Sequence, residues 1–178
     1  MLMLTVFLML SCQEDLLQVI LHLDYSIENT ETLHKDLTII VFIDIECPIS
    51  QYVIKPMNVL QEKYVENVKF IGLLPGDYYS EKQKNDFISE LGVNFELKDD
   101  PKLKVVKRVD ATVTPQCFLL DESGKILYNG ALDNKYEALG KAKPLPSIDY
   151  LDLAINQILS GKQVELSATK PIGCLIER

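Results

Sequence analysis

Histidine is scarce in this chain of 178 residues: only His22 and His34 occur, and both precede its most apolar strand. They read as surface or packing residues, and no metal site or organic cofactor is expected. Closely spaced cysteine pairs are missing too. No Cys-x-x-Cys occurs, so there is no local dithiol and no Cys-x-x-Cys-His haem attachment. Positive charge is in short supply. Eighteen Lys and Arg against 26 Asp and Glu leave a net charge of −8, which argues against nucleic acid and anionic membrane surfaces as partners. No internal repeat or low-complexity tract appears, and the apolar N-terminal run is shorter than the roughly 20 residues that a bilayer span needs. What remains, with 47% hydrophobic residues, is enough for one α/β domain with a proper core.

Among the residues present, Cys47 carries the most information. It follows Thr38-Ile39-Ile40-Val41-Phe42-Ile43 and directly precedes Pro48-Ile49-Ser50-Gln51. The apolar, β-branched run reads as a buried strand, and the residues after it have helical spacing. Proline suits the first helical position, where its missing N–H would have been unpaired anyway. A thiol at that junction meets the free N–H groups and partial positive charge of a helix N-terminus, which favour the nucleophilic thiolate.

Residues 2–10 are apolar except for Thr5 and run into Ser11-Cys12-Gln13. The stretch matches the apolar region of a secretory signal. Its Leu-Ser-Cys ending resembles a bacterial lipobox, although no Lys or Arg precedes it. The reading is a lipoprotein signal over 1–11, lipidation at Cys12 and an extracytoplasmic setting in the cell envelope. The alternative is a plain apolar segment packed on the domain. A lead-in covers 12–36, the main domain 37–162, and a tail 163–178 carries Cys174.

Within the domain, a strand over 37–45 leads into a helix over 48–64. Ile49, Val53, Met57, Leu60 and Tyr64 form its apolar stripe, and Pro56 is expected to kink it. A strand over 69–74 and a helix starting at Ser80 follow; Gln83 completes a capping box and Gly92 ends the helix. A short helix over 101–108 precedes Thr114-Pro115. Strands over 116–120 and 125–128 are joined by Asp121-Glu122-Ser123-Gly124, strong turn chemistry. Residues 129–146 read as a long loop and 147–160 as the last helix.

Strand, helix, strand, helix, hairpin and closing helix is the order of a thioredoxin fold. Thr114-Pro115-Gln116-Cys117-Phe118-Leu119-Leu120-Asp121 and the following Gly124, Ile126, Tyr128 and Gly130 resemble a redoxin pattern. It is the pattern of the alkyl hydroperoxide reductase/thiol-specific antioxidant superfamily. Glu46-Cys47-Pro48-Ile49-Ser50 with a Gly173-Cys174 tail is similar to a bacterial thioredoxin-like subgroup whose second cysteine lies near the C-terminus. The resemblance implies an α/β thioredoxin-like fold with a central mixed sheet flanked by helices. It also implies a cis proline at Pro115 before the hairpin, packed against Cys47, and a substrate groove at Pro48, Ser50, Thr114 and Pro115.

Departures from the better-known relatives limit what carries over. Ser50 stands where thioredoxins have their second cysteine. Ile40 and Asp44 replace the proline and threonine of the peroxiredoxin loop, and the only arginines are Arg108 and Arg178. Copper-delivering relatives have a cysteine where Gln51 lies here. Asp44 and Glu46 are expected to oppose thiolate formation.

The pair Cys47 and Cys174 therefore carries the functional reading: Cys47 attacks a disulfide and Cys174 resolves the mixed disulfide. Its partners are protein thiols or disulfides, and the membrane is met only through a lipid anchor. Two other readings stay open, a thiol peroxidase and a non-enzymatic partner-binding module. In the second, a Cys47–Cys174 bond staples the tail, with about 4–5 kcal/mol available for so long a loop; alternatively the two thiols never bond. Cys117, in an apolar strand, reads as a small buried hydrophobe. Tyr78 and Tyr79 read as capping a loop or bordering the active-site rim. The loop with Asp133, Asn134, Lys135, Tyr136 and Lys141 is expected near the site.

Overall fold

The computed structural model describes Leu16 and residues 37–178. The signal at 1–11, Cys12, His22, His34 and the lead-in, apart from Leu16, lie outside the described residues.

Strand β1 (Leu37–Phe42) is the middle of a five-stranded sheet and explains its own burial. Side chains alternate between the two faces of a strand, and here both sets are apolar. Leu37, Ile39 and Val41 enter one core cluster, Ile40 and Phe42 the other. Such a strand needs cover on both faces. Helix α1 (Pro48–Lys63) supplies the first, with Val53, Ile54, Met57 and Leu60, and runs on through Pro56 as one helix of 16 residues. Helix α2 (Glu81–Leu91) adds Phe87, and helix α4 (Tyr150–Leu159) adds Leu151, Ala154 and Ile155 to the same face. The short helix α3 (Lys104–Val109) covers the opposite face with Val105, Val106 and Val109.

Strands β2 (Val68–Pro75) and β3 (Glu96–Asp100) extend the sheet in parallel on one side of β1. On the other side, β5 (Gln116–Asp121) and β6 (Ile126–Gly130) run antiparallel, giving the order β3-β2-β1-β5-β6. The sheet is therefore mixed. The expected capping box is present at Ser80 and Gln83, and Gly92 closes α2 in the left-handed conformation.

Three elements depart from the sequence expectation. Strand β3 lies in a stretch read as connection; its charged sequence is stabilised by contacts that no pattern reveals. Asp100, fully buried, accepts hydrogen bonds from the N–H groups of Lys104, Val105 and Val106 at 2.7, 2.9 and 3.0 Å and so caps α3. Buried Lys98 pairs with Glu96 at 3.0 Å. The 129–146 loop contains a small hairpin, β7 (Tyr136–Ala138) with β8 (Lys141–Ala142). Helix α4 starts three residues later than expected because Asp149, not Ser147, accepts the N–H of Asp152 and caps it.

A fourth departure positions the site. The tail returns across the molecule, and its strand β9 (Cys174–Leu175) pairs antiparallel with β4 (Val113–Thr114) just before Pro115. Thr169 anchors the return. Its Oγ1 meets the Tyr128 hydroxyl at 2.6 Å and accepts the Ala131 N–H at 2.9 Å. At Gly173 the tail passes so close to the Thr114 carbonyl that an added Cβ would overlap it.

Candidate active site

Cys47 is the N-cap of α1, and its 2% exposure makes it a buried thiol. Its Sγ lies 2.9 Å from Cys174 Sγ, which donates to it, and 3.3 Å from the Thr114 carbonyl oxygen. Both cysteines are free thiols, and Cys174, half-buried, stands on the solvent side of the pair. Burial pushes against ionisation of Cys47. The Cys174 thiol, with the N–H groups of Ser50, Cys174 and Ile49, outweighs burial and lowers its pKa below the ordinary thiol value. The same contact acts oppositely on Cys174. Its hydrogen bond to Cys47, then burial and the nearby charges of Cys47 and Asp44, push it up to about 11. The pairing therefore makes Cys47 the more readily ionised of the two thiols and Cys174 the one that keeps its proton longer.

Asp44 and Glu46 lie in the loop that leads into Cys47, and the charge of Asp44 raises the pKa of the neighbouring Cys174 thiol, the sign expected of it. Asp44 Oδ1 accepts the Tyr79 hydroxyl at 2.6 Å and the Glu46 N–H at 2.8 Å. Tyr79 therefore belongs to the rim of the site rather than to a distant loop.

The four residues assigned to a substrate groove are placed differently from one another. Pro48 is exposed beside Cys47. Ser50 is fully buried, its Oγ accepting the Asp44 N–H at 3.3 Å, so it contributes its backbone and not its side chain to the surface. Pro115 is buried behind a cis Thr114–Pro115 bond, and the Thr114 edge is occupied by Cys174 itself. Cys117 lies inside the sheet with no exposure, and burial raises its pKa strongly; it is an inert core thiol.

On the α1 side, Asp133 accepts the Tyr52 hydroxyl at 2.7 Å, Lys135 sits 4.9 Å over the Tyr52 ring, and Tyr136 packs edge-on against it. Burial, with the charges of Asp133 and Cys47, raises the Tyr136 pKa, which ties this loop to the thiol. Lys141 instead pairs with Glu137 on the exposed hairpin. Tyr52 carried no signal in the sequence beyond its place on α1. Among the described residues, no group of three or more His, Cys, Asp or Glu could hold a metal ion.

No protein-family profile matches this chain, and no curated protein matches it. Solved structures do. A hypothetical protein from Sinorhizobium meliloti superposes with a TM-score of 0.68 at 21% identity, over 81% of this chain and 80% of that one. An uncharacterized conserved protein from Geobacillus kaustophilus gives 0.63 at 26% identity, over 81% and 78%. A thioredoxin-like protein solved in its oxidized form gives 0.57 at 12% identity, over 77% and 86%. Central mixed sheet, flanking helices and these likenesses agree: the chain has a thioredoxin-like fold.

Proposed function

We propose that this protein is a thiol–disulfide oxidoreductase of the redoxin type, working through Cys47 and Cys174 on the extracytoplasmic side of a bacterial envelope. Lipid attachment at Cys12 would hold it there. The observation that carries the reading is the contact of the two sulfurs at 2.9 Å on the N-terminus of α1, across 127 residues of sequence. A displacement of about one ångström converts that contact into a disulfide of ~2.05 Å.

The chemistry follows from the two pKa directions. Cys47 thiolate attacks one sulfur of a partner disulfide, and the partner's other sulfur leaves as thiolate. Cys174 then loses its proton and attacks Cys47 Sγ, which releases the second partner thiolate. The partner has gained two electrons and two protons, and the protein holds a Cys47–Cys174 disulfide. A donor thiolate resets it by attacking the outer sulfur, Cys174, because Cys47 has the lower pKa and is the better leaving group. Neither arginine supports a peroxide site: Arg178 donates to Asp110 at 2.9 Å, and Arg108 lies on α3, across the sheet from α1.

A dithiothreitol redox titration of the full chain, with free thiols mapped by alkylation and mass spectrometry, tests the proposal. A Cys47–Cys174 bond that opens reversibly between about −300 and −120 mV supports it. A bond that opens only below that window marks a structural staple, and no bond at all removes the two-cysteine mechanism.

A further inference from the structure

A cavity of about 370 Å³ adjoins the dithiol, walled by the Asp44–Glu46 loop, by Tyr78 and Tyr79, by Thr114 and by the tail after Cys174. Its size falls within the roughly 300–1,000 Å³ of ligand sites. Three of its walls adjoin the reacting groups: Glu46 precedes Cys47, Leu175 follows Cys174, and Thr114 supplies the carbonyl that Cys47 meets. Anything seated there lies within a residue or two of the exchanging sulfur.

The charge of the lining is one-sided. Asp44, Glu46 and Glu177 contribute carboxylates, and among the described residues no Lys, Arg or His lines the cavity. Several acids elsewhere are compensated: Asp86, Asp99, Glu137 and Asp152 each hold a lysine at 2.6 Å. Among the described residues, none of the three cavity acids has such a partner. A second observation points the same way. Thr114, which lines the cavity, is 2% exposed, and its Oγ1 is buried with no hydrogen-bond partner, an arrangement that native proteins rarely leave unexplained. Tyr78 and Tyr79 also line the cavity, and aromatic rings attract cations.

We propose that this cavity is a subsite for a cationic side chain of the partner polypeptide, so that the protein exchanges with cysteines flanked by lysine or arginine. The inference rests on the thiol-exchange reading above and names its substrate class. In the resetting step, the partner thiolate bonds to Cys174 Sγ, the Cys47–Cys174 bond breaks, and its electron pair leaves on Cys47. The flanking cation stays among the three carboxylates while the sulfurs exchange.

The test uses the oxidised full chain and three synthetic peptides, identical except for Lys, Gln or Glu beside a single cysteine. Rates of disulfide opening are compared at low salt. The Lys peptide should open the bond about ten-fold faster than the Gln peptide, and the Glu peptide should be slower still. In the double variant Glu46→Gln, Glu177→Gln, the Lys/Gln ratio should fall below about two. The ratio should survive in Glu66→Gln, Glu122→Gln, which removes the same charge at the other end of the sheet. Differences in peptide thiol reactivity cancel in these comparisons, and circular dichroism checks that each variant is folded. Equal rates for the three peptides overturn the subsite. So does a Lys preference that persists in the Glu46, Glu177 variant, because that is attraction to the net charge of the chain. A bond that forms but that none of the peptides opens overturns the exchange reading, and the subsite with it.

Discussion

Replacing Gly173 with alanine should make the Cys47–Cys174 disulfide easier to reduce. The new Cβ would overlap the Thr114 carbonyl where β9 docks on β4. Overpacking of this kind costs about 1–3 kcal/mol. In the oxidised protein the tail is tethered at Cys47 and must bear that strain. The reduced protein escapes it by undocking two residues of strand. The difference falls on the redox equilibrium, where 1.4 kcal/mol corresponds to about 30 mV for a two-electron couple. The reduction potential of Gly173→Ala should therefore rise by roughly 20–65 mV. Equilibration of wild type and variant in the same dithiothreitol series, followed by alkylation and mass spectrometry, reads the shift directly. Potentials that agree within about 10 mV, an interval set against the shift expected from overpacking, would refute the argument that the tail must sit on β4 for the disulfide to form.

Three further outcomes follow from the electrostatics and the caps. Thiolate absorbance of the reduced protein should rise in two macroscopic steps, one below the ordinary thiol range and one toward about 11, and Cys174→Ser should move the first step upward; a single unshifted step removes the hydrogen-bonded pair. Burial, then the neighbouring charges of Asp152 and Asp133, push the Asp149 carboxyl up to about 6. Between about pH 4 and 6 the folded state thus holds a proton that the unfolded chain has lost, so stability rises as pH falls through that window. Asp149→Asn keeps the cap and should flatten this rise, worth about 1 kcal/mol after discounting for solvent screening; thermal melts from pH 4 to 8 measure it, and an unchanged slope counts against the assignment. Asp100→Ala should cost about 2–3 kcal/mol in urea unfolding, because three N–H groups of α3 lose a buried acceptor; a loss under about 0.5 kcal/mol would mean that water replaces it.

The parts of the fold that were legible in the sequence are those where local chemistry and burial agree. β1 announces itself because both of its faces are apolar. The stripe of α1, its proline start and the capping box of α2 are likewise written in neighbouring residues. The thiol at the head of α1 was legible for the same reason. β3 was not, since Glu-Leu-Lys-Asp-Asp has no apolar period; its pairing is with the backbone of β2, and its charges are satisfied by contacts distant in sequence. The pairing of β9 with β4 was equally hidden. Two-residue strands carry no periodicity, and only the close approach at Gly173 hints at their meeting. That Asp44 also acts on Cys174 was hidden because proximity in sequence gives no orientation: the return of the tail brings that thiol within reach of its charge.

The anchor at Thr169 turns the last residues into an arm of defined reach. Its hydroxyl is held by Tyr128 and Ala131, and its N–H donates to the Asn129 carbonyl at 3.0 Å, so a released tail pivots from that point. Cys174 lies five residue steps beyond the pivot, and a fully extended chain covers at most about 3.3–3.6 Å per step. The Cys174 Cα can therefore sweep a sphere of roughly 17 Å around Thr169, and its sulfur only a side chain's length farther. Any partner must bring its own sulfur within that reach, which makes this end of the sheet the place where every exchange is struck.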